Sequence, residues 1–240
     1  TENVFSAVYQ EQLSGYMAGY AAVKLGYKHL GYLGGMAVPA VQRFGYGFLQ
    51  GVDAAAKEMN IVSDVVVEYI YGGAFAGDAD ITGVMDVWYG EKAVECVFAC
   101  GGGIFTSAAE AAAKVDGKVI GVDTDQAPVI DGMFGVEGMT ITSAMKGLAP
   151  TVKTLLTAIV LEDNWAAYAG KIESLGLVSA DPEANYVQLP MESTLWCDTF
   201  TQDDYKALVA SMFDGSLVVS GDISAMPTTE VVVNTYDNIK

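Results

Sequence analysis

Short apolar runs alternate with amphipathic stretches from about residue 30 onward. Four apolar runs predict buried strands, at residues 30–33, 65–70, 94–100 and 118–122, and the run at 65–70 is rich in β-branched residues. Three intervening stretches have helical spacing of their apolar residues, at 39–59, 78–89 and 107–115. Links of this length hold helices rather than hairpin turns. The pattern therefore predicts an α/β fold, with a parallel sheet that carries helices on both faces.

Weaker patterns flank this region. We expect strands at 139–145 and 230–234 and helices at 10–23, 148–161 and 201–213. Thr201 is the expected N-cap of the last helix, and Asp204 at the third position completes a weak capping box. Gly45, Gly47 and Gly51 lie inside the helix at 39–59, where each costs about 1 kcal/mol relative to Ala. Such glycines indicate close packing against another backbone.

Composition narrows the class of protein. The chain has 240 residues and a formal net charge of -18, from 12 Lys and Arg against 30 Asp and Glu. This balance argues against binding to nucleic acid, which needs a basic face, and disfavours anionic membranes. Hydrophobic residues make up 52% of the chain, which argues against disorder. No apolar run approaches the ~20 residues of a membrane span.

Few residues have the chemistry of an enzyme. Cys96, Cys100 and Cys197 are too irregularly spaced for a zinc cage or a disulfide framework, and the first two read as buried small apolar residues. His29 is the only histidine, and its position beside Lys28 favours a solvated loop residue. Triads and histidine-rich metal sites are therefore excluded. The scattered Asp residues at 78, 80 and 86 read as a solvated acidic face. The segment 1–4 has no secretory signal, which fits a cytoplasmic protein, a processed mature chain or a fragment.

Candidate binding residues follow the predicted strands. Ligands of open parallel sheets bind beyond the carboxyl ends of the strands, where this chain has glycine clusters and Asp123. Glycines let a ligand approach the backbone, and a carboxylate accepts hydrogen bonds from a vicinal diol. Phe44, Phe75 and Phe105 are aromatic residues expected at the same rim, although core packing accounts for them as well. Such an edge suits a sugar or a nucleoside.

One motif favours an oxidoreductase instead. Residues 101–106 nearly match the GxGxxG pattern of a dinucleotide-binding turn, and Asp123 ends the next strand, where a ribose-binding carboxylate is expected. The sixth position is Thr106 rather than glycine, and the unit is the third in the chain rather than the first. NAD binding is kept as an alternative.

Several motifs resemble one family. They are FSAVY at 5–9 with SGYMAG at 14–19, GYLGGM at 31–36 with Arg43-Phe44, FACGGG at 98–103, GVDTDQ at 121–126, and TSAMK at 142–146. In this order they are similar to the basic membrane protein (BMP) family of ABC-importer substrate-binding lipoproteins, which includes purine nucleoside receptors. The resemblance is specific across residues 5–146 and loose after about residue 168.

The resemblance implies a type I periplasmic-binding fold, in which two α/β lobes clamp a ligand. The ligand would be a nucleoside, with a purine base favoured, or a similar small polar molecule. Its binding residues would be Gly34, Gly35 and Met36, Gly101, Gly102 and Gly103, with Asp123 on ribose hydroxyls, Lys146 on ligand oxygens, and Phe44 or Phe105 on the base. For Lys146, a hinge salt bridge is the other interpretation.

The resemblance also implies the setting of the protein. No cofactor and no catalysis are expected. The partner would be an ABC permease, and the full-length protein would be extracytoplasmic, lipid-anchored at the bacterial cell surface or periplasmic. A ligand-sensing regulatory domain is a further alternative, because the fold also occurs in transcription regulators.

The chain departs from the family pattern at its start. Family members have several βα units, about 100 residues, before the segment that matches Phe5. We therefore expect a C-terminal lobe at 29–138 with 166–240, and remnants of the N-terminal lobe and crossovers at 1–28 with 139–165. These remnants would expose apolar surface and favour a homodimer, with Leu13, Met17, Leu155 and Leu156 as candidate contacts.

Overall fold

The protein is described by a computed structural model that covers residues 2–240. The strands are β1 (Ser6–Tyr9), β2 (His29–Gly34), β3 (Val66–Tyr71), β4 (Cys96–Cys100), β5 (Lys118–Asp123), β6 (Thr140–Lys146), β7 (Ile172–Leu175), β8 (Val187–Gln188) and β9 (Val232–Thr235). The helices are α1 (Glu11–Lys24), α2 (Pro39–Glu58), α3 (Ala79–Gly90), α4 (Phe105–Ala112), α5 (Ala127–Phe134), α6 (Leu148–Leu156) and α7 (Gln202–Phe213). A π-helical turn, Thr157–Leu161, continues α6.

Seven strands form the main sheet, in the order β8-β6-β5-β4-β2-β3-β9. Neighbouring strands are parallel except β8, which runs antiparallel to β6. β1 and β7 pair in parallel as a separate two-stranded sheet. The predicted α/β class is confirmed. The sequence pattern missed β1, β7 and β8, which are at most four residues long, and also α5.

Alternation along the strands divides the core between the two faces of the main sheet. In β2, Leu30 and Tyr32 point to the face covered by α1 and α2, whereas Leu33 points to the face covered by α3 and α4. All three side chains are fully buried. A strand buried on both faces has a continuous apolar sequence. This is why the sequence alone predicted this strand.

α1 and α2 pack with their backbones in close approach. A Cβ added at Gly15 would overlap the carbonyl oxygen of Phe44, and one at Gly47 would overlap that of Gln12. Gly19 and Gly51 make the same kind of contact one turn further along. Gly47 and Gly51 therefore confirm the expected backbone contact of α2, whereas Gly45 faces the side chains of Tyr69 and Tyr32.

The segment after α7 returns along the edge of the main sheet, where buried carboxylates fix it. Asp53 on α2 accepts hydrogen bonds from the backbone N–H groups of Glu230 and Val231, at 2.6 and 3.0 Å. Glu68 on β3, whose side chain is 3% exposed, accepts hydrogen bonds from Tyr236 and, at 3.3 Å, from Asn234. Hydrogen-bond donors from the returning segment thus offset the free-energy cost of burying the two carboxylates.

The expectation for His29 is wrong. His29 begins β2, and its Nε2 lies 3.0 Å from Glu68 Oε1, with 26% of the side chain exposed. Lys92 Nζ lies 3.5 Å from the other Glu68 oxygen. The histidine is one of several groups around a buried carboxylate rather than a solvated loop residue.

The structure corrects the proposed remnants in two places. Leu13 and Met17 are 9% and 0% exposed, so the expectation that they drive dimerisation is wrong. α1 lies against α2 inside the main body, and β6 is a strand of the main sheet, paired in parallel with β5. β1 and β7 pair with each other in a sheet separate from the main one, and the Tyr9 hydroxyl on β1 lies 2.8 Å from the Thr151 hydroxyl on α6. We refer to β1, β7 and α6 as the second layer. Leu155 is half-buried and Leu156 is exposed.

Among residues 2–240, no helix is long and apolar enough to cross a membrane.

Replacing Gly15 with Ala tests the α1–α2 contact. The new methyl group has no room beside the Phe44 backbone, so we expect unfolding free energy to fall by about 1–3 kcal/mol. Gly83 on α3, where an added Cβ meets nothing within 4 Å, is the matched control, and its change to Ala should stabilise by up to about 1 kcal/mol. Urea unfolding at neutral pH measures both. Equal effects of the two variants would contradict the close-packing account.

A second prediction concerns pH. Burial opposes the ionisation of Glu68, but hydrogen bonds from Tyr236, His29 and Asn234 outweigh it and hold its pKa below the usual 4.5. The ionised form therefore stabilises the fold above pH 4.5, and this contribution is lost as pH falls through the lowered pKa. Glu68→Gln should lower the unfolding free energy by about 1–3 kcal/mol at pH 7, with the deficit shrinking below about pH 4.5. A deficit that stays constant down to pH 3 would contradict this account.

Candidate functional site

A cleft of about 240 Å³ opens at the carboxyl ends of β4, β5 and β6. Its lining comes from the start of α2, the loop after β3, and the ends of these strands: Val38, Ala40, Val41, Phe44, Phe75, Cys100, Gly101, Gly102, Val122, Asp123 and Lys146. This is the edge of the sheet at which the sequence placed the ligand. The parallel order of the strands brings together residues that lie more than a hundred positions apart in the chain, from Val38 to Lys146.

Asp123 and Lys146 form the charged part of the cleft. Lys146 Nζ lies 2.9 Å from Asp123 Oδ1, and the two side chains are 17% and 35% exposed. Oδ1 is buried and has no partner in hydrogen-bonding geometry, so the contact is an ion pair without an aligned donor. Asp123 also has a left-handed backbone conformation, with φ at 68°. Strained backbone of this kind concentrates at functional sites.

Two aromatic side chains shape the apolar part of the cleft. Phe44 is 2% exposed and packs edge-to-face on Phe98, with the ring centroids 6.0 Å apart. Lys146 Nζ lies 5.4 Å from the centre of the Phe44 ring, which is cation–π distance. Phe44 therefore forms the floor of the cleft. Phe75 also lines the cleft and is 40% exposed.

Phe75 is the residue that the family resemblance did not single out. It follows Gly72 and Gly73 after β3, and its ring lies over Gly35 and Gly101, which could not carry side chains there. The available signal was an aromatic residue directly after a glycine turn at a strand end. This signal could not distinguish Phe75 from Phe44 and Phe105.

The glycine loops differ in what they offer. Gly101 and Gly102 line the cleft, with φ at 155° and 53°. The N–H of Gly35 instead donates to the Cys100 carbonyl, and that of Gly103 donates to the Phe75 carbonyl. These two N–H groups are engaged within the protein. Gly34, Gly35, Met36 and Gly103 lie beside the cleft without lining it, although Met36 is 40% exposed.

Phe105 lies elsewhere. It begins α4 and is 8% exposed in the core on the α3–α4 face of the sheet, among Ile104, Ala108 and Ala109. The cleft lies at the carboxyl ends of the strands, and Phe105 is not among its lining residues. The structure therefore corrects the assignment of Phe105 as a base-stacking residue.

Cys100 is part of the cleft floor and is 1% exposed. Burial raises the pKa of its thiol well above the usual range, and a hydrogen bond with Tyr32 offsets only part of this effect. The thiol is therefore neutral at physiological pH and is a poor nucleophile.

The start of α4 leaves no room for a dinucleotide diphosphate. Ala76 pairs with Gly103, and a Cβ added at Gly77 would overlap Thr106 Oγ1. The loop after β3 thus covers the turn at 101–106, which a diphosphate would have to approach through free N–H groups. Among residues 2–240, no group of three or more His, Cys, Asp or Glu is placed to hold a metal ion.

Four larger depressions lie away from these groups. Two have volumes of about 740 Å³, one along the apolar side of α6 and one between α3 and the segment 236–239. The others have volumes of about 450 Å³, between α1, α2 and α7, and about 390 Å³, between α6 and Tyr168. None of the four lies at the carboxyl ends of β4, β5 and β6, so the smaller cleft is the better candidate site.

Relatives of known name share part of the sequence. The chain is 29% identical over 190 residues to basic membrane protein B of Borreliella burgdorferi, a match that covers 77% of this chain and 52% of that protein. It is 33% identical over 134 residues to the ABC transporter nucleoside-binding protein BmpA of Lactococcus lactis, covering 52% of this chain and 36% of the relative. The chain thus spans about half the length, or less, of these curated relatives.

Solved structures share the fold. An ABC transporter solute-binding protein from Conexibacter woesei superposes with a TM-score of 0.65 at 22% identity, covering 92% of this chain and 67% of that one. A solute-binding protein from Aeropyrum pernix gives 0.64 at 21% identity, over 90% of this chain and 61% of that one. At these identities the likeness shows the fold alone, which is the type I periplasmic-binding fold.

The family model for PnrA-like ABC transporter substrate-binding proteins, named Bmp, matches residues 1–178. This family consists of binding proteins rather than enzymes, which agrees with a cleft that has a neutral buried thiol and a covered turn at α4. The five sequence motifs of the resemblance all lie within the matched residues. The chain belongs to the Bmp family of PnrA-like ABC transporter substrate-binding proteins.

Proposed function

We propose that this chain supplies one side of the ligand-binding cleft of an ABC importer and that its ligand is a purine nucleoside. The observation that carries the proposal is the meeting of Asp123, Lys146 and the open ring of Phe75 in one cleft. A nucleoside presents a vicinal diol, polar ring atoms and a flat base. These three features match a carboxylate, an ammonium group and an exposed aromatic face.

The charges of the cleft favour a neutral ligand. Lys146 and Asp123 already compensate each other, so an anionic ligand would have to disrupt the pair inside a chain of net charge -18. The hydroxyl groups of a ribose can instead donate to Asp123 and accept from Lys146 without separating the charges. The name of the Lactococcus lactis relative includes nucleoside binding, which supports this choice.

Binding would act through closure between two lobes. β1 and β7 form a sheet separate from the main one, and β1 contacts α6 through Tyr9 and Thr151. We assign this second layer to the second lobe. Gln10 N–H donates to the Leu175 carbonyl and Gly147 N–H to the Tyr186 carbonyl, so the connections between the layers are bonded to one another. A ligand that contacts both lobes stabilises the closed form, which a permease can then recognise. The proposed setting is extracytoplasmic, with lipid anchoring of the full-length protein.

Thermal melting with a ligand panel tests the proposal. The panel is adenosine, guanosine, inosine, uridine, ribose, galactose and NAD. A ligand at 100 times its dissociation constant should stabilise the chain by about 2.7 kcal/mol, which raises Tm by a few degrees. We expect a shift with purine nucleosides that exceeds the shift with ribose. A shift with galactose alone would replace the nucleoside by a sugar, and a shift with NAD alone would revive the oxidoreductase alternative.

Asp123→Asn tests the role of the carboxylate. Asn retains the shape and tolerates the left-handed backbone, but it loses the charge that accepts two hydroxyl groups. We expect affinity for the nucleoside to fall about 10- to 150-fold, corresponding to about 1.5–3 kcal/mol. Isothermal titration calorimetry measures the dissociation constant.

The matched control for this variant is Asp116→Asn. Asp116 also has a left-handed backbone, with φ at 58°, and its carboxylate also lies near a lysine, at 3.5 Å from Lys118 Nζ. It is exposed and far from the cleft lining. The affinity of the Asp116→Asn variant for the nucleoside should match that of the unchanged protein. An Asp123→Asn variant that binds within about threefold of the unchanged protein would overturn the site.

Phe75→Ala tests the open ring. Loss of a stacking face should weaken nucleoside binding by roughly 1–3 kcal/mol, by analogy with base stacking on aromatic side chains. The affinity for ribose, which has no base, should change much less. Phe213 is 48% exposed at the end of α7, away from the cleft, and Phe213→Ala is the control for a general loss of surface aromatic area. Equal losses for the nucleoside and ribose would show that Phe75 does not contact the base.

A further inference from the structure

The ammonium group of Lys146 lies over two aromatic rings that come from different layers of the molecule. Its Nζ atom is 5.4 Å from the centre of the Phe44 ring, on α2, and 5.8 Å from the centre of the Tyr9 ring, on β1. Both distances are within the range of about 6 Å over which an aromatic face attracts an ammonium group. The two rings are 2% and 8% exposed. Tyr9 does not line the cleft itself, so it can act on a ligand there through Lys146.

Directional hydrogen bonding does not account for the place of this ammonium group. Lys146 Nζ and Asp123 Oδ1 are 2.9 Å apart, yet Oδ1 receives no aligned hydrogen bond. A lysine carries its charge on a flexible four-carbon stem, which samples many positions unless its neighbours restrict it. Contact with the rings of Phe44 and Tyr9 is therefore what restricts the ammonium group to the side of Asp123.

Tyr9 is itself fixed by the other elements of the second layer. It pairs with Leu175 on β7 through the backbone. The Thr151 hydroxyl on α6 donates to the Gly147 carbonyl at 2.7 Å, so the Tyr9 hydroxyl, which lies 2.8 Å from Thr151 Oγ1, donates to Thr151. Gly147 directly follows Lys146, where the chain leaves the main sheet for α6. The ring of Tyr9 is therefore fixed to β1, β7 and α6 rather than to the main sheet.

We propose that Tyr9 is a positioning residue of the candidate site: its ring, together with that of Phe44, holds the Lys146 ammonium group beside Asp123, in the geometry that meets a ribose. The inference rests on the proposed function, because it assigns this charged pair to the sugar of a nucleoside. It adds a physical link between the two layers, since a shift of the second layer moves one of the two rings that hold Lys146. Loss of the Tyr9 ring should weaken nucleoside and ribose binding by a similar factor, whereas loss of the Phe75 ring should weaken chiefly nucleoside binding.

NMR of the Lys146 ε-methylene group tests the positioning without any ligand. Protons above an aromatic ring resonate upfield, and the Lys146 signal is assigned by its absence from the spectrum of Lys146→Arg. Tyr9→Met fills the space without a ring and should move this signal downfield, whereas Tyr9→Phe should leave it nearly unchanged. Tyr20→Met is the matched control: the Tyr20 ring lies 5.6 Å from Lys24 Nζ, so this variant should move the Lys24 signal and not that of Lys146. Circular dichroism checks folding, and Tyr9→Leu is a second variant without a ring.

Isothermal titration calorimetry with guanosine and with ribose measures the consequence for binding. Tyr9→Met should raise both dissociation constants by roughly 5- to 30-fold, and Tyr9→Phe and Tyr20→Met should stay within about threefold of the unchanged chain. A double-mutant cycle with Lys146→Gln separates positioning from support of the fold. In the Lys146→Gln background Tyr9→Met should cause no further loss of guanosine affinity, because the ring then has no ammonium group to hold.

The possible outcomes distinguish this inference from the proposed function. A Lys146 signal that neither Tyr9→Met nor Tyr9→Leu moves would overturn the role of Tyr9, even in a chain that binds nucleosides tightly. Losses that add in full in the double-mutant cycle would overturn it as well, because Tyr9 would then support the fold and not Lys146. A chain that shows the NMR response but binds neither guanosine nor ribose would overturn the nucleoside proposal, while the position of Lys146 set by Tyr9 would stand.

Discussion

The close approach of α1 and α2 is the constraint on which the cleft depends. Gly15 lets the two helices meet at the Phe44 backbone, near the start of α2, so the same contact that joins the helices also sets the height of the cleft floor. α1 follows β1 directly and thus begins where the chain enters the main body. This packing buries Leu13 and Met17, which the sequence analysis had predicted to be exposed. A substitution at the α1–α2 contact would therefore alter both the connection between the layers and the candidate site.

The charged pair at the strand ends places two opposite charges in the candidate cleft, where the proposed ligand would approach. The register of β5 and β6 sets Asp123 beside Met145, so Lys146 is the next residue along the neighbouring strand. Its ammonium group lies over the Phe44 ring, near an apolar floor, and the side chain is 17% exposed. Water competes poorly for groups held in this way, and a polar ligand that satisfies both charges gains more than it would at an open surface. Phe75 then adds area without adding charge.

Sequence reasoning predicted the parallel sheet because buried strands of this chain are continuous apolar runs that end in glycines. It predicted the strand-end location of the site for the same reason, since parallel order alone brings Asp123 and Lys146 to one edge. It could not separate Phe44, Phe75 and Phe105, because each follows or begins a turn at that edge. Which of these three rings is exposed depends on how the helices pack. Phe105, at the start of α4, is buried in the core on the α3–α4 face of the sheet. Short strands such as β1 and β7 were missed because four residues carry too little periodicity.

The two-stranded sheet shows why the functional argument must treat the main body and the second layer differently. A parallel pair of strands is stable only as part of a larger covered sheet, and here β1 and β7 leave Val8 and Ile172 exposed on the side facing away from the contact between Tyr9 and Thr151. The main sheet, in contrast, is covered on both faces and carries the cleft residues on rigid strand ends. The main sheet thus holds the residues of the proposed ligand contacts in fixed positions. In the proposed mechanism these residues would choose the ligand, and the second layer would take part in closure.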